Sequence, residues 1–104
     1  MVGLLMSKKI DVVFFTKKYT RCGSCDAMKT ALSRWQEDHP EVTVNVTMES
    51  VEHNVGYIHE NYPEIQEAPV VEISRGKEFS VVSGNNPDIL EDHLGGLDAV
   101  WDDV

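Results

Sequence analysis

From Lys9 to Thr16 the chain reads KIDVVFFT, with an unbroken apolar block from Val12 to Phe15. Strand side chains alternate between faces, so such a block predicts a strand covered on both sides. Residues 42–48, VTVNVTM, alternate instead, with Val42, Val44, Val46 and Met48 set against Thr43, Asn45 and Thr47. One apolar and one polar face predict an edge strand. Between these segments Met28, Ala31, Leu32 and Trp35 recur at helical spacing. His39-Pro40 closes that run, because a residue before proline avoids helical backbone. Strand, helix and strand in this order predict a parallel pair joined by a right-handed crossover.

Val51, Val55, Ile58 and Tyr62 repeat at steps of four, three and four, predicting a second amphipathic helix that stops before Pro63. PVVEIS and EFSVVS then flank Arg75-Gly76-Lys77, which suits a hairpin. Asn86 is expected as an N-cap with Pro87 in the first helical position, and Leu90, Leu94, Leu97 and Trp101 line one face of the last helix. Gly95-Gly96 weakens that helix. The order is β-α-β-α-β-β-α, an α/β fold. The 104 residues form a single domain, with residues 1–7 an extension of no assigned role.

Charge divides the chain. The segment ending at Arg34 holds seven basic and two acidic residues, a balance of +5, and the remainder carries −14. Overall acidity speaks against nucleic acid, which selects a basic face. No apolar run approaches the ~20 residues of a membrane span. MVGLLMSKK is too short for an export signal and has its charges on the wrong side. A cytoplasmic location is the default expectation.

The basic segment also holds the only two cysteines, in YTRCGSCDAMKT. A bridge between Cys22 and Cys25 closes a loop too short to remove much unfolded-chain entropy, so a structural staple explains the pair poorly. In a reducing compartment CxxC is redox-active or metal-binding. Cys25 lies three residues before Met28 and seven before Leu32, so it falls on the buried face, whereas Cys22 precedes the helix and is exposed. The unpaired N–H groups of a helix N-terminus, with Lys17, Lys18 and Arg21 nearby, favour a thiolate. They are expected to lower the Cys22 pKa from about 8.5 toward the roughly 3.5–7.5 of activated cysteines. Cys22 is then the nucleophile and Cys25 the resolving thiol. Gly23 and Ser24 permit the tight turn and add no bulk. A metal module competes, but His39, His53, His59 and His93 are scattered, and zinc sites ordinarily need four ligands. No metal site is expected.

CxxC at the start of the first helix, EAPVVEI before the third strand and SGNNPD before the last helix together resemble the glutaredoxin branch of the thioredoxin fold, most closely the NrdH-type redoxins. The resemblance covers roughly residues 9–101. It implies a four-stranded mixed sheet with three helices, and a small dithiol-disulfide electron donor of the kind that serves ribonucleotide reductase. It implies that Pro69 is cis, that Ala68 presents backbone groups to a substrate beside Cys22, and that Gly84 lets the last helix approach the same groove. Lys17, Arg21 and Asp88 complete the expected substrate-binding set. The dipeptide Gly23-Ser24 departs from the family's Pro-Tyr, and Ala68 replaces its usual valine.

The resemblance leaves two electron donors open. Glutathione-using members place the γ-glutamyl carboxylate at the N-terminus of the last helix, with acidic residues holding its amine. Here Pro87 has no N–H to donate, and Asp88 alone remains of an acidic pair. Reduction by a flavoprotein thioredoxin reductase is therefore expected over glutathione, for a monomer with no bound cofactor. A glutathione-dependent glutaredoxin, including a dimer bridged by a [2Fe–2S] cluster, is the alternative, and an inactive interaction module a further one.

Overall fold

The computed structural model describes residues 8–95. The elements are β1 (Lys8–Thr16), α1 (Gly23–Asp38), β2 (Val42–Ser50), α2 (Val55–Asn61), β3 (Val70–Arg75), β4 (Glu78–Ser83) and α3 (Pro87–Gly95), with a 3-10 turn at Glu52–Asn54 before α2. The sheet order is β2-β1-β3-β4; β1 runs parallel to β2 and the other pairs are antiparallel. The apolar block of β1 is thus central, and the alternating β2 is an edge, as their patterns require.

The two faces of β1 feed two cores. Ile10, Val12 and Phe14 meet Met28, Ala31, Leu32 and Trp35 of α1 and Leu90 and Leu94 of α3. Phe15, with Val13 beside it, meets Ile58 of α2 and Val70 on the opposite face. The hairpin turns at Gly76-Lys77, where Gly76 has φ +55°, a backbone that L side chains rarely adopt. Arg75 is buried at the end of β3 and donates to the His93 carbonyl at 2.7 Å, tying the sheet to α3.

The structure departs from the pattern reading at three places. The second helix is broken, with Val51 outside it and Val55 57% exposed. The Ser50 hydroxyl accepts the His53 N–H at 3.1 Å, and the Asn54 amide donates to the Ser50 carbonyl at 2.6 Å, a local arrangement that competes with a regular helix start. On β2 the apolar face is covered only at its beginning. Chain turning after α1 is closed by the Val42 N–H on the His39 carbonyl, and Gln36 reaches the Val44 carbonyl, while Val46 and Met48 remain exposed. Finally, Asn86 accepts the first α3 bond, from the Leu90 N–H, but its side chain turns back to donate to the Ser83 carbonyl. Leu97 and Trp101, expected on the α3 face, lie outside the described residues, as do residues 1–7.

One polar group lies where the pattern gives no warning. Glu72, in the middle of β3, is buried and accepts hydrogen bonds from Tyr57 at 2.5 Å and Tyr62 at 2.6 Å. It joins α2 and the chain after it to the sheet. Burial, reinforced by that carboxylate, holds the Tyr62 hydroxyl well above its ordinary range.

Candidate functional site

The chain leaves β1 at Thr16, whose carbonyl accepts the Val51 N–H at 2.9 Å, and crosses residues 17–21 to reach α1. Glu52 holds this crossing: its carboxylate accepts the Lys18 N–H at 3.1 Å, the Tyr19 N–H at 3.3 Å and the Ser50 hydroxyl at 3.0 Å. The Tyr19 hydroxyl lies 3.2 Å from Nε2 of His53, beside the same turn. Partial desolvation works to raise the Glu52 carboxyl, but hydrogen bonds from the Lys18 N–H, its own N–H, Ser50 and the Tyr19 N–H outweigh it and hold the pKa at about 2 rather than 4.5. A depressed carboxyl stabilises the fold above its unfolded pKa, and that contribution is lost as the pH falls through the folded one. The Lys18 and Tyr19 amide resonances are therefore expected to titrate together with a midpoint near 2. A midpoint near 4.5 would show that the anchor does not hold.

Cys22 occupies the N-cap of α1 in extended backbone, φ −147° and ψ 94°, and its sulfur accepts the Cys25 N–H at 3.1 Å. The sulfur thus does what a serine or aspartate oxygen does at other helix starts. Cys22 and Cys25 are joined, with S–S 2.11 Å and Cα–Cα 5.2 Å. Cys22 is partly exposed, whereas Cys25 is 1% exposed, on the helix face the spacing assigned to it.

A hollow of about 350 Å³ opens at Cys22, lined by Lys17, Arg21, Gly23, Ser24, Gln66, Glu67 and Ala68. Lys17, Arg21 and Ala68 therefore stand where the sequence placed them. The Ala68-Pro69 bond is cis, and Pro69 is buried, its carbonyl accepting the Gly84 N–H at 3.0 Å. Gly84 has φ +73°, and a Cβ added there would sit 2.6 Å from Oε1 of Glu67. The space over this glycine, through which the last helix is expected to approach the groove, is taken by the Glu67 carboxylate. Asp88 is exposed on the first turn of α3, at the helix start where the motif puts it, and is not among the residues that line the Cys22 hollow. Glu67 belongs both to that hollow and to the space over Gly84, and so stands between Cys22 and the α3 start.

Pattern reading missed Glu52 and Glu67, and it gave Ser24 a place in the turn but not its contact. The Ser24 hydroxyl donates to the Ala68 carbonyl at 2.7 Å across 44 residues of sequence. Glu67 carried one usable signal, its place just before Ala68-Pro69; Glu52 carried none. A second, apolar groove of about 180 Å³ continues from the hollow past Lys17 and Ala68 to Val51, Val55, Ile58 and Ile65. Among the described residues no three histidine, cysteine, aspartate or glutamate side chains converge as a metal site would need, and no helix is long and apolar enough to cross a membrane.

The sequence matches no protein-family model and none of the curated proteins. Solved structures do match. Mitochondrial thioredoxin 3 of Saccharomyces cerevisiae in its oxidised form superposes with TM-score 0.62 at 20% identity, over 92% of this chain and 87% of that one. Chloroplastic thioredoxin z gives 0.63 at 22%, over 94% and 86%. Thioredoxin from Trypanosoma brucei brucei gives 0.60 at 20%, over 92% and 81%. The fold is thioredoxin-like. These neighbours are thioredoxins, and they lend no specific support to the glutaredoxin branch.

Proposed function

We propose that this protein is a dithiol-disulfide oxidoreductase that reduces disulfides of other proteins. The observation that carries this reading is the pairing of a partly exposed Cys22, at a helix N-terminus and on the wall of an open hollow, with a buried Cys25 one turn behind it. In the dithiol form the Cys22 thiolate attacks one sulfur of a substrate disulfide. The substrate S–S bond breaks, its leaving sulfur takes a proton from water, and a mixed disulfide remains on Cys22. Cys25 then loses its proton and attacks the Cys22 sulfur, and the second substrate thiol departs with a proton. Two electrons pass to the substrate, and the Cys22–Cys25 bond closes.

The finer assignment is an NrdH-type electron donor, monomeric and cytoplasmic, with ribonucleotide reductase as the kind of substrate and thioredoxin reductase as the source of electrons. Two features support thioredoxin reductase over glutathione. Pro87 offers no N–H at the α3 start, and the Glu67 carboxylate lies against Gly84, where it repels an incoming anion. Matched assays with one protein disulfide test both levels. Turnover with NADPH and thioredoxin reductase is expected to exceed turnover with glutathione. Faster turnover with glutathione moves the protein to the ordinary glutaredoxins, and no turnover with either donor overturns the oxidoreductase reading.

A further inference from the structure

Ser24 makes two contacts that thiol exchange between Cys22, Cys25 and a substrate does not use. Its hydroxyl donates to the Ala68 carbonyl at 2.7 Å and lies 3.6 Å from the Cys22 sulfur. A hydroxyl has one proton and serves one acceptor at a time. In the disulfide form the competition is uneven, because a bonded sulfur is a weak neutral acceptor and a carbonyl a good one. Two electrons and one proton from an external thiol reductant break the bond, leaving Cys22 as a thiolate and Cys25 as a thiol. The anion within reach of the same hydroxyl is then the stronger acceptor, since charge-assisted hydrogen bonds are about twice as strong as neutral ones. Rotation about the Ser24 side chain is enough to exchange partners.

We propose that Ser24 is a redox-governed donor, bound to the Ala68 carbonyl in the disulfide form and to the Cys22 sulfur in the dithiol form. Two consequences follow from the single proton. The Cys22 thiolate gains a donor beyond the Cys25 N–H, which lowers its pKa. The Ala68 carbonyl, on the wall of the Cys22 hollow, becomes a free acceptor for the backbone N–H of a substrate chain only when the protein is reduced. The form with electrons to give therefore offers the docking group, and the spent form covers it with its own side chain. This second consequence rests on the oxidoreductase reading; the first does not.

The test uses Ser24→Ala and Ser24→Thr in the full chain. With Cys25→Ala as background, so that one thiol titrates, thiolate absorbance near 240 nm follows Cys22. Ser24→Ala is expected to raise the midpoint by about one unit, a tenfold change in the protonation equilibrium, and Ser24→Thr to leave it in place. With both cysteines present, the Ala68 carbonyl carbon resonance is expected to move on reduction by dithiothreitol, and most of that movement to vanish in Ser24→Ala. An unchanged Cys22 midpoint in Ser24→Ala, or an Ala68 resonance that moves equally with and without the hydroxyl, overturns the proposal. Both readings are made on the protein alone. An inactive protein with the expected shifts would sink the oxidoreductase reading and leave the Ser24 assignment standing.

Discussion

Cys22→Ser is expected to lower disulfide reduction by at least ~10³-fold, the scale at which loss of an essential nucleophile is felt. Cys25→Ser is expected to fail differently. Its Cys22 still attacks, but no second thiol stands behind it to break the mixed disulfide, so the substrate stays attached. The asymmetry comes from the helix start, where Cys22 caps the N-terminus and faces the hollow while Cys25 is sealed among core side chains. Mass analysis after incubation with a disulfide substrate reads the difference: Cys25→Ser carries the adduct and Cys22→Ser does not. Equal adducts on both variants would mean that the two thiols share one role, and the assignment would be lost.

Glu72→Ala is expected to destabilise the fold by about 2–3 kcal/mol, since it strands two tyrosine hydroxyls that hydrogen-bond to one buried carboxylate. Tyr57 is partly solvated and recovers some of that loss from water, while Tyr62 is more enclosed. Against a typical total of 5–15 kcal/mol this is a large fraction, and it corresponds to roughly 10–20 °C in Tm for a domain of this size. Glu72→Gln keeps one acceptor oxygen and should lose less. Thermal unfolding followed by circular dichroism orders the variants. If Glu72→Ala melts with the unmodified protein, the carboxylate is no anchor for α2, and the apolar packing around Phe15, Ile58 and Val70 holds that face without it.

Much of this protein is decided by neighbours along the chain. The block Val12 to Phe15 dictates a central strand, because both sides of it need cover, and it receives two cores. The spacing of Met28, Ala31, Leu32 and Trp35 dictates one buried stripe on α1 and carries Cys25 with it. Two cysteines at the start of that helix are enough to separate an accessible thiol from a sheltered one. These inferences depend only on periods of two and 3.6 residues and on the open N–H groups of a helix start. Tertiary structure alone decided the rest. Glu52 meets Lys18 from 34 positions away, Ser24 meets Ala68 from 44, and Glu72 finds Tyr57 across the sheet and α2. Glu67 takes the space over Gly84. Such partners are chosen by the direction of a crossover and the register of two strands, which no window of adjacent residues contains.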